Sequence, residues 1–270
     1  MKRSFGKLIF MALLIGLLTA CGTSDSENED SAASETNSTV TEDVESADEK
    51  VLKMATSADF PPFESYDING EFEGFDIELA QLIADELGYE LEIEDMGFDG
   101  LIGALQSETV DIVMSGMSAT EKRRQNVDFS IEYHRSGEMF VSQADAGIEV
   151  LEDLEGKVVG VQLGTIQEEG ADKLSDEYGF EVKKLDDANT LIQELNTNRI
   201  DVAYMDKTVA VGYINELGLV GFDDPTTVSP GMAIAFPKDS EMIEEVNTVL
   251  EELIDSGKVE ELEDKWLSEE

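Results

Sequence analysis

The sequence predicts an α/β fold built as two lobes of like topology. From residue 51 onward, short apolar segments typical of strands alternate with amphipathic segments typical of helices, which is the pattern of mostly parallel sheets. One stretch repeats without gaps at an offset of 90 residues: Leu101-Ile102-x-x-Leu105-Gln106 with Val110-Asp111-Ile112 matches Leu191-Ile192-x-x-Leu195-Asn196 with Ile200-Asp201-Val202. Because 41% of the 270 residues are hydrophobic, the chain can bury a sizeable core.

The first half is predicted to run from a strand through a hairpin into a helix. The helix shows in apolar residues at helical spacing that stop at the cap residue Gly88, namely Leu79, Leu82, Ile83 and Leu87. From residue 89 to 94, apolar residues alternate with glutamates, which predicts a half-buried strand. The remaining elements are a strand at 51–56, a hairpin turn at Asn69-Gly70, a helix at 98–107 and a strand at 110–115. The turn lacks the carboxylate spacing of a calcium loop.

The second half repeats this order. We predict strands at 157–162, 180–185 and 200–205, with helices at 166–178 and 190–196 between them. Ligands of parallel sheets bind beyond the carboxyl ends of the strands, and at the 90-residue offset Gly116 and Asp206 occupy equivalent places there. Two lobes that face each other across a cleft would therefore bring these two residues together.

The N-terminus is typical of a secretory signal. Basic residues precede an apolar run from Leu8 to Leu18, which is too short to span a bilayer. The string Leu18-Thr19-Ala20-Cys21 resembles a bacterial lipobox, so we expect residues 1–20 to be removed and Cys21 to carry lipid. An ordinary signal with a spare cysteine is the alternative. Residues 21–50 are polar and acidic, and we expect a disordered tether.

Composition excludes several classes of function. The net charge of -44, from 62 acidic and 18 basic residues, disfavours nucleic-acid binding and electrostatic docking on anionic lipid. One cysteine and one histidine cannot form a disulfide framework or a metal site built on these residues. The acidity extends beyond the tether, which predicts a carboxylate-rich surface that is either simply solvated or adapted to high salt.

Several motifs together identify a family. The strings A-T-S-A-D-F-P-P-F (55–63), G-F-D-I-E-L-A (74–80) and V-Q-L-G-T (161–165) are accompanied by S-G-M-S-A-T-E-K-R (115–123) and D-F-S (128–130). In this order and over residues 51–267, they resemble the polar amino-acid family of extracellular solute-binding proteins, which serve ATP-binding-cassette importers.

The resemblance implies a type II periplasmic-binding-protein fold with two crossover strands as a hinge, near 138–141 and 231–235. Lobe one would hold residues 51–138 and 232–270, with the helix that contains Val246 and ends near Gly257. Lobe two would hold residues 139–231. The implied function is capture of a free polar amino acid for an importer permease, by a monomer without cofactor or metal. Lipid on Cys21 would hold it on the extracytoplasmic face of the membrane, as in Gram-positive bacteria.

The resemblance also implies which residues hold the ligand backbone. The ligand carboxylate would bind Arg123, whose planar fork suits a carboxylate, together with Ser118, Thr165 and Ile166 at a helix N-terminus. The ammonium would bind Gly116, Ser118 and Asp206. A surface ion pair for Arg123, and simple helix caps for Thr165 and Asp206, are the structural alternatives.

The ligand side chain would lie between Phe60 and Phe98, close to Ser57 and Gln162. A core role is the alternative for both phenylalanines. Relatives that bind basic amino acids often have Asp where this chain has Ser57, which counts against a strict lysine or arginine binder unless Asp59, Glu64 or Gln162 compensates. His134 also departs from the usual aromatic residue, and we expect it at the surface.

Two other functions are compatible with this architecture. A dehydratase-like enzyme would need a general acid or base in the cleft, and Ser118 has no evident base partner. A lipoprotein that senses a ligand and signals to a separate receptor is the other alternative.

Overall fold

The computed structural model describes residues 50–268, so the predicted signal, Cys21 and the tether up to residue 49 lie outside the described residues. The predicted tether extends to Lys50, but this residue begins the first strand, where it pairs with Tyr89. Its strands are, in chain order, β1 (Lys50–Thr56), β2 (Ser65–Tyr66), β3 (Phe72–Glu73), β4 (Tyr89–Asp95), β5 (Ile112–Val113), β6 (Asp128–His134), β7 (Glu138–Ser142), β8 (Val158–Gln162), β9 (Glu181–Leu185), β10 (Val202–Asp206), β11 (Val220–Asp223) and β12 (Met232–Phe236). Its helices are α1 (Phe75–Leu87), α2 (Leu101–Gln106), α3 (Ile166–Tyr178), α4 (Ala188–Asn196), α5 (Lys207–Leu217), α6 (Met242–Asp255) and α7 (Lys258–Trp266).

Two five-stranded sheets of matching topology confirm the two-lobed α/β prediction. The first sheet has the order β4-β1-β5-β12-β6 and the second has the order β9-β8-β10-β7-β11. In each sheet the first three strands of this order are parallel. The fourth strand runs antiparallel to the third, and the fifth strand runs antiparallel to the fourth. We call the part built on the first sheet lobe one and the part built on the second sheet lobe two.

The 90-residue repeat is visible in atomic detail. Asp111 accepts the Lys53 N–H at 2.9 Å, and its counterpart Asp201 accepts the Val158 N–H at 2.8 Å. The preceding turns contain Glu108 and Asn198, the same offset apart, with φ of 54° and 55°. The two lobes therefore share a helix–turn–strand unit that ends at the cleft.

The chain crosses between the sheets beside the predicted hinge strands. The predicted crossover strands, β7 and β12, each belong to a single sheet. The chain passes from one sheet to the other just before them, at residues 135–137 and 224–231. Helix α6 then packs on α1 and β6 of lobe one. It buries Val246, Leu250 and Leu253, at about 1.5–3 kcal/mol for each fully buried side chain.

Most predicted elements are confirmed, and the differences have local causes. The strand expected at 110–115 is only Ile112–Val113, because Asp111 bonds to Lys53 with its side chain and the backbone turns at Gly116. Helix α4 begins at Ala188, two residues before the predicted start, since Asp187 caps it by accepting the Thr190 N–H at 2.7 Å. The hairpin loop is organised by Asp67, which accepts the N–H groups of Asn69 and Glu71.

Candidate functional site

One cavity lies between the lobes, at the carboxyl ends of the central strands. It contains about 370 Å³ of space free of protein atoms, part of which is open to solvent. All ten sequence-predicted ligand residues line it: Ser57, Phe60, Phe98, Gly116, Ser118, Arg123, Gln162, Thr165, Ile166 and Asp206. Asp59 and Gln167 line it as well. Residues up to 149 positions apart thus share one small enclosure.

Arg123 is a buried cation that contacts both lobes. Its Nη1 donates to the Ser118 carbonyl at 2.7 Å, and its Nη2 donates to the Gly164 carbonyl at 3.1 Å. The Phe98 ring lies against the guanidinium, 5.3 Å from its carbon to the ring centre. Burial lowers the pKa of Arg123 to about 10, so it stays charged at neutral pH. A buried guanidinium with spare N–H donors suits a carboxylate, and the surface ion-pair alternative does not describe this environment.

The adjacent Arg124 points elsewhere, as expected. Its guanidinium carbon lies 5.2 Å from the centre of the Phe129 ring, and it does not line the cavity. The short 3₁₀ turn Arg123–Gln125 sends the two side chains in different directions.

Asp206 is both a helix cap and a cavity residue. Its Oδ1 accepts the Thr208 N–H at 2.8 Å, the Val209 N–H at 3.4 Å and the Ser136 hydroxyl at 2.9 Å. Among the described residues all three donors reach Oδ1, which leaves Oδ2 to accept from a ligand. Burial raises the pKa of Asp206 to about 6, and these hydrogen bonds oppose that rise.

Gly116 closes the same end of the cavity in a left-handed conformation. Its φ is 52°, and a Cβ there would lie 3.0 Å from the Phe60 ring. Ser118 is buried and forms a bridge to Met232 of the neighbouring strand. Both residues therefore have fixed backbones.

The N-terminus of α3 faces the cavity from lobe two. Thr165 caps it by accepting the Glu168 N–H at 3.1 Å, and its hydroxyl donates to the Gln162 carbonyl. The Glu168 carboxylate accepts the Gly164 N–H at 2.7 Å, one residue earlier than a standard capping box predicts. Ile166 is the first helical residue, so its N–H has no acceptor within the helix.

Asp59 adds a second carboxylate to the lining. Its Oδ1 accepts the Ser57 hydroxyl at 2.8 Å within lobe one. Its Oδ2 reaches lobe two, where it accepts the Gln162 side-chain N–H at 3.2 Å and the Ala188 N–H at 2.5 Å. Burial raises the pKa of Asp59 despite these donors. Asp59 therefore places a carboxyl group beside Ser57, which has none.

Sequence reasoning missed Gln167 altogether. It lies one residue into α3 beyond Ile166, is buried, and donates its side-chain amide to Glu138. Burial raises the pKa of Glu138 to about 8, so this carboxyl is largely protonated at neutral pH. The capping-box pattern predicts that a helix begins at Thr165, and Gln167 lies in the first turn of that helix. This position is the signal in the sequence that indicates Gln167.

Direct contacts hold the lobes together around the cavity. Besides the bonds of Arg123 and Asp59, Lys122 forms an ion pair with Glu169 at 2.7 Å. A Cβ on Gly164 would lie 2.9 Å from the Asp99 Cα, so the two backbones touch there. The cleft is closed.

Two expectations about nearby residues need correction. His134 is not a surface residue: its ring packs against Phe63 and Phe75, and its Nδ1 lies 2.9 Å from a carboxylate oxygen of Glu263. The reason is that α1 and α7 cover this end of β6. Glu64 does not line the cavity, because its side chain is fully buried behind Ser115.

Residues 50–268 contain no group of three or more His, Cys, Asp or Glu side chains placed to hold a metal ion. Within the same range, no helix is both long and apolar enough to cross a bilayer. The expectation that the protein works without a metal remains a prediction.

Comparison with known proteins gives a consistent result. The family described as "Bacterial extracellular solute-binding proteins, family 3" matches residues 52–269. The arginine-binding extracellular protein ArtP of Bacillus subtilis is 42% identical over 264 residues, covering 97% of this chain and 96% of the relative. An ancestral arginine-binding protein is 40% identical, with a TM-score of 0.76 and coverage of 81% of this chain and 98% of its own.

Two further observations concern ligand range and chemistry. The structure of the ancestral arginine-binding protein is described as bound to arginine, and a second structure of an ancestral arginine-binding protein, also 40% identical with a TM-score of 0.76, is described as bound to glutamine. An ancestral amino-acid-binding protein described as a precursor of cyclohexadienyl dehydratase is 34% identical, with a TM-score of 0.75 and coverage of 81% and 96%.

Proposed function

Since the chain belongs to family 3 of the bacterial extracellular solute-binding proteins, we propose that it captures a free amino acid with a cationic side chain. The captured amino acid is delivered to the permease of an ATP-binding-cassette importer. The observation that carries this proposal is the charge of the cavity, which contains one buried cation and two carboxylates.

The charges of Arg123 and Asp206 suit the α-carboxylate and the α-ammonium, which all amino acids share. The guanidinium of Arg123 pairs with the α-carboxylate, with further donors at the N-terminus of α3. The free oxygen of Asp206 pairs with the α-ammonium, together with Gly116 and Ser118. Because these groups belong to different lobes, a bound amino acid joins the lobes as a bridge.

The third charged residue, Asp59, selects among ligand side chains. After a zwitterion has neutralised Arg123 and Asp206, the carboxylate of Asp59 still needs a counter-charge. Phe60 and Phe98 offer ring faces that attract a cation as well. A guanidinium or ammonium on the ligand would pair with Asp59, whereas a neutral side chain would leave this partly buried carboxylate without a counter-charge. The names of the relatives, which include an arginine-binding protein, agree with this preference.

The place of action follows from the family and from the lipobox string. An extracellular solute-binding protein works outside the cytoplasm, and lipid on Cys21 would hold it at the membrane near its permease. The acidic tether at 21–50 would give the folded part its reach.

The alternatives have weaker support. The relatives named here are binding proteins, and among the described residues Ser118 has no hydrogen bond to a base that could activate it. A sensor role would use the same cavity and the same ligand, so it differs only in the partner that recognises the closed form.

Calorimetric titration with arginine and citrulline tests the proposal. Citrulline has nearly the same shape as arginine but lacks its charge, so the pair isolates the role of Asp59. We expect arginine to bind at least about tenfold more tightly, equivalent to about 1.4 kcal/mol. Lysine, ornithine, histidine and glutamine complete the series. Equal affinity for arginine and citrulline would refute the cationic preference, and no binding of any amino acid would refute the function.

A further inference from the structure

Two fully buried carboxyl groups lie behind the cavity without contributing to its lining. Glu64 follows the Phe-Pro-Pro-Phe string, and Asp76 stands in the Gly-Phe-Asp string at the start of α1. Both side chains have no exposed surface. The two carboxyl groups interact, since, in addition to burial, the negative charge of Asp76 raises the pKa of Glu64.

Each carboxyl group holds a segment that does line the cavity. Asp76 Oδ2 accepts the Gly116 N–H at 2.8 Å and the Tyr133 hydroxyl at 2.8 Å. Glu64 Oε1 accepts the Ser115 hydroxyl at 2.9 Å, and that hydroxyl in turn accepts the Ser57 N–H at 3.0 Å.

These bonds determine the shape of one end of the cavity. The bond to Asp76 holds the peptide before Gly116 in place, which supports the left-handed turn that packs against Phe60. The bond through Ser115 does the same for Ser57. Without the two carboxyl groups, the Gly116 N–H and the buried Ser115 hydroxyl would lose their acceptors.

The other two oxygens of the pair point to a proton between them. Glu64 Oε2 and Asp76 Oδ1 are buried and have no hydrogen-bond partner within residues 50–268. Two ionised carboxylates in contact would repel strongly in such an environment. Burial, and the nearby charge of Asp76, raise the pKa of Glu64 well above its usual value, and burial raises the pKa of Asp76 to about 6. One proton bonded between the two orphaned oxygens would satisfy both.

We propose that Glu64 and Asp76 are positioning residues that share one proton and thereby hold Ser57 and Gly116 in the geometry that binds the ligand. The pair keeps a single negative charge behind the ammonium end of the cavity. The test by arginine affinity rests on the proposed amino-acid function. The test by NMR rests only on the hydrogen bonds of the two carboxyl groups.

The affinity arm compares two replacements of Glu64 in the full chain, with arginine as the probe. Glu64→Gln imitates a protonated carboxyl, because its amide can donate to Asp76 Oδ1 and accept from Ser115. We expect it to retain affinity within about threefold, whereas Glu64→Ala should weaken arginine by at least about tenfold through unpartnered buried groups. Equal loss in both variants would mean that the charge of Glu64 matters rather than the shared proton, and would overturn the proposal.

The spectroscopic arm follows the Gly116 amide by NMR in ligand-free protein as pH falls from 8 to 4. The titratable groups that face Asp76 are Glu64, Tyr133 and His134. We expect a titration that persists in Glu64→Gln and disappears in Asp76→Asn. In Tyr133→Phe it should move to higher pH, since the Tyr133 hydroxyl lowers the pKa of Asp76.

Two results would overturn the proposal in this arm. One is a Gly116 amide that does not respond to Asp76→Asn, and the other is a titration that vanishes in His134→Phe. If the wild-type protein binds no amino acid, the proposed function fails, but the Gly116 titration still decides whether the pair positions this residue.

Discussion

Arg123 is joined to Gly164 across the cleft: its Nη2 donates to the Gly164 carbonyl at 3.1 Å. The same guanidinium donates to Ser118 in its own lobe, so one side chain contacts both walls of the cavity. A ligand carboxylate would therefore meet a cation whose position depends on closure. Binding and closure would then be coupled through this residue.

Replacing Arg123 with Ala should weaken every amino-acid ligand. A buried carboxylate without its partner costs about 3–5 kcal/mol by analogy with broken buried ion pairs, or roughly two to four decades in Kd. Calorimetry with arginine and glutamine measures the loss, and circular dichroism checks folding. Arg124→Ala is the matched control, because that side chain lies over Phe129 away from the cavity. Near-wild-type affinity in Arg123→Ala would remove this residue from the site.

Replacing Gly164 with Ala should prevent full closure. The residue has φ of 77°, and a Cβ would lie 2.9 Å from the Asp99 Cα of the other lobe. We expect small-angle scattering to show a smaller radius of gyration with arginine than without it for the wild type, and little change for this variant. Gly179→Ala has a similar φ of 72° but meets only Glu155 at 3.6 Å, so it tests backbone strain alone. If arginine reduced the radius of gyration of Gly164→Ala as much as that of the wild type, the close contact between Gly164 and Asp99 would not be needed for closure.

Substitutions at positions 57 and 59 should change the ranking of ligands. Asp59→Asn removes the spare carboxylate, so the preference for arginine over citrulline should fall by about tenfold or more. Ser57→Asp adds a carboxylate beside Asp59 and should favour cationic ligands further. Calorimetry on both variants measures the ratio of Kd values. An unchanged ratio in Asp59→Asn would show that another group selects the side chain.

Ligand affinity should increase with pH between about 4 and 6. Burial raises the pKa of Asp206 from 3.8 to about 6, and a ligand ammonium favours its ionised form. Binding in this window should therefore release protons. The ligand-free protein should show the opposite trend from this residue, losing stability as Asp206 ionises. Calorimetry at pH 5.5 in buffers of different ionisation enthalpy counts the protons. Ligand binding to the Asp206→Asn variant should release fewer protons. If binding released as many protons as in the wild type, they would come from another group.

Cys21→Ser should release the protein from the membrane. The lipobox would lose its acyl acceptor, so we expect the variant in the medium or soluble fraction with its arginine affinity unchanged. Fractionation followed by immunoblotting and calorimetry checks both points. Retention in the membrane fraction would exclude lipid on Cys21 as the anchor.

Sequence patterns predict the order of the elements and ten of the residues that line the cavity, but not Gln167. Helix caps such as Gly88 and Thr165, and the spacing of apolar residues in α1 and α6, are short-range signals and can be recognised in a linear chain. The 90-residue repeat relates Gly116 to Asp206 from the sequence alone. The motifs selected Arg123 over Arg124.

Contacts between groups that are distant in the sequence follow from the packing of the whole chain. Asp59 bonds to Ala188, 129 residues away, and this contact exists because the lobes close on each other. His134 is covered because α1 and α7 pack over it, and no pattern around position 134 indicates that. Glu64 and Asp76 form a pair because a loop and a helix start converge behind β5. Local signals act over a few residues, whereas burial and charge depend on the whole fold, so the protonation and selectivity of the cavity follow from packing.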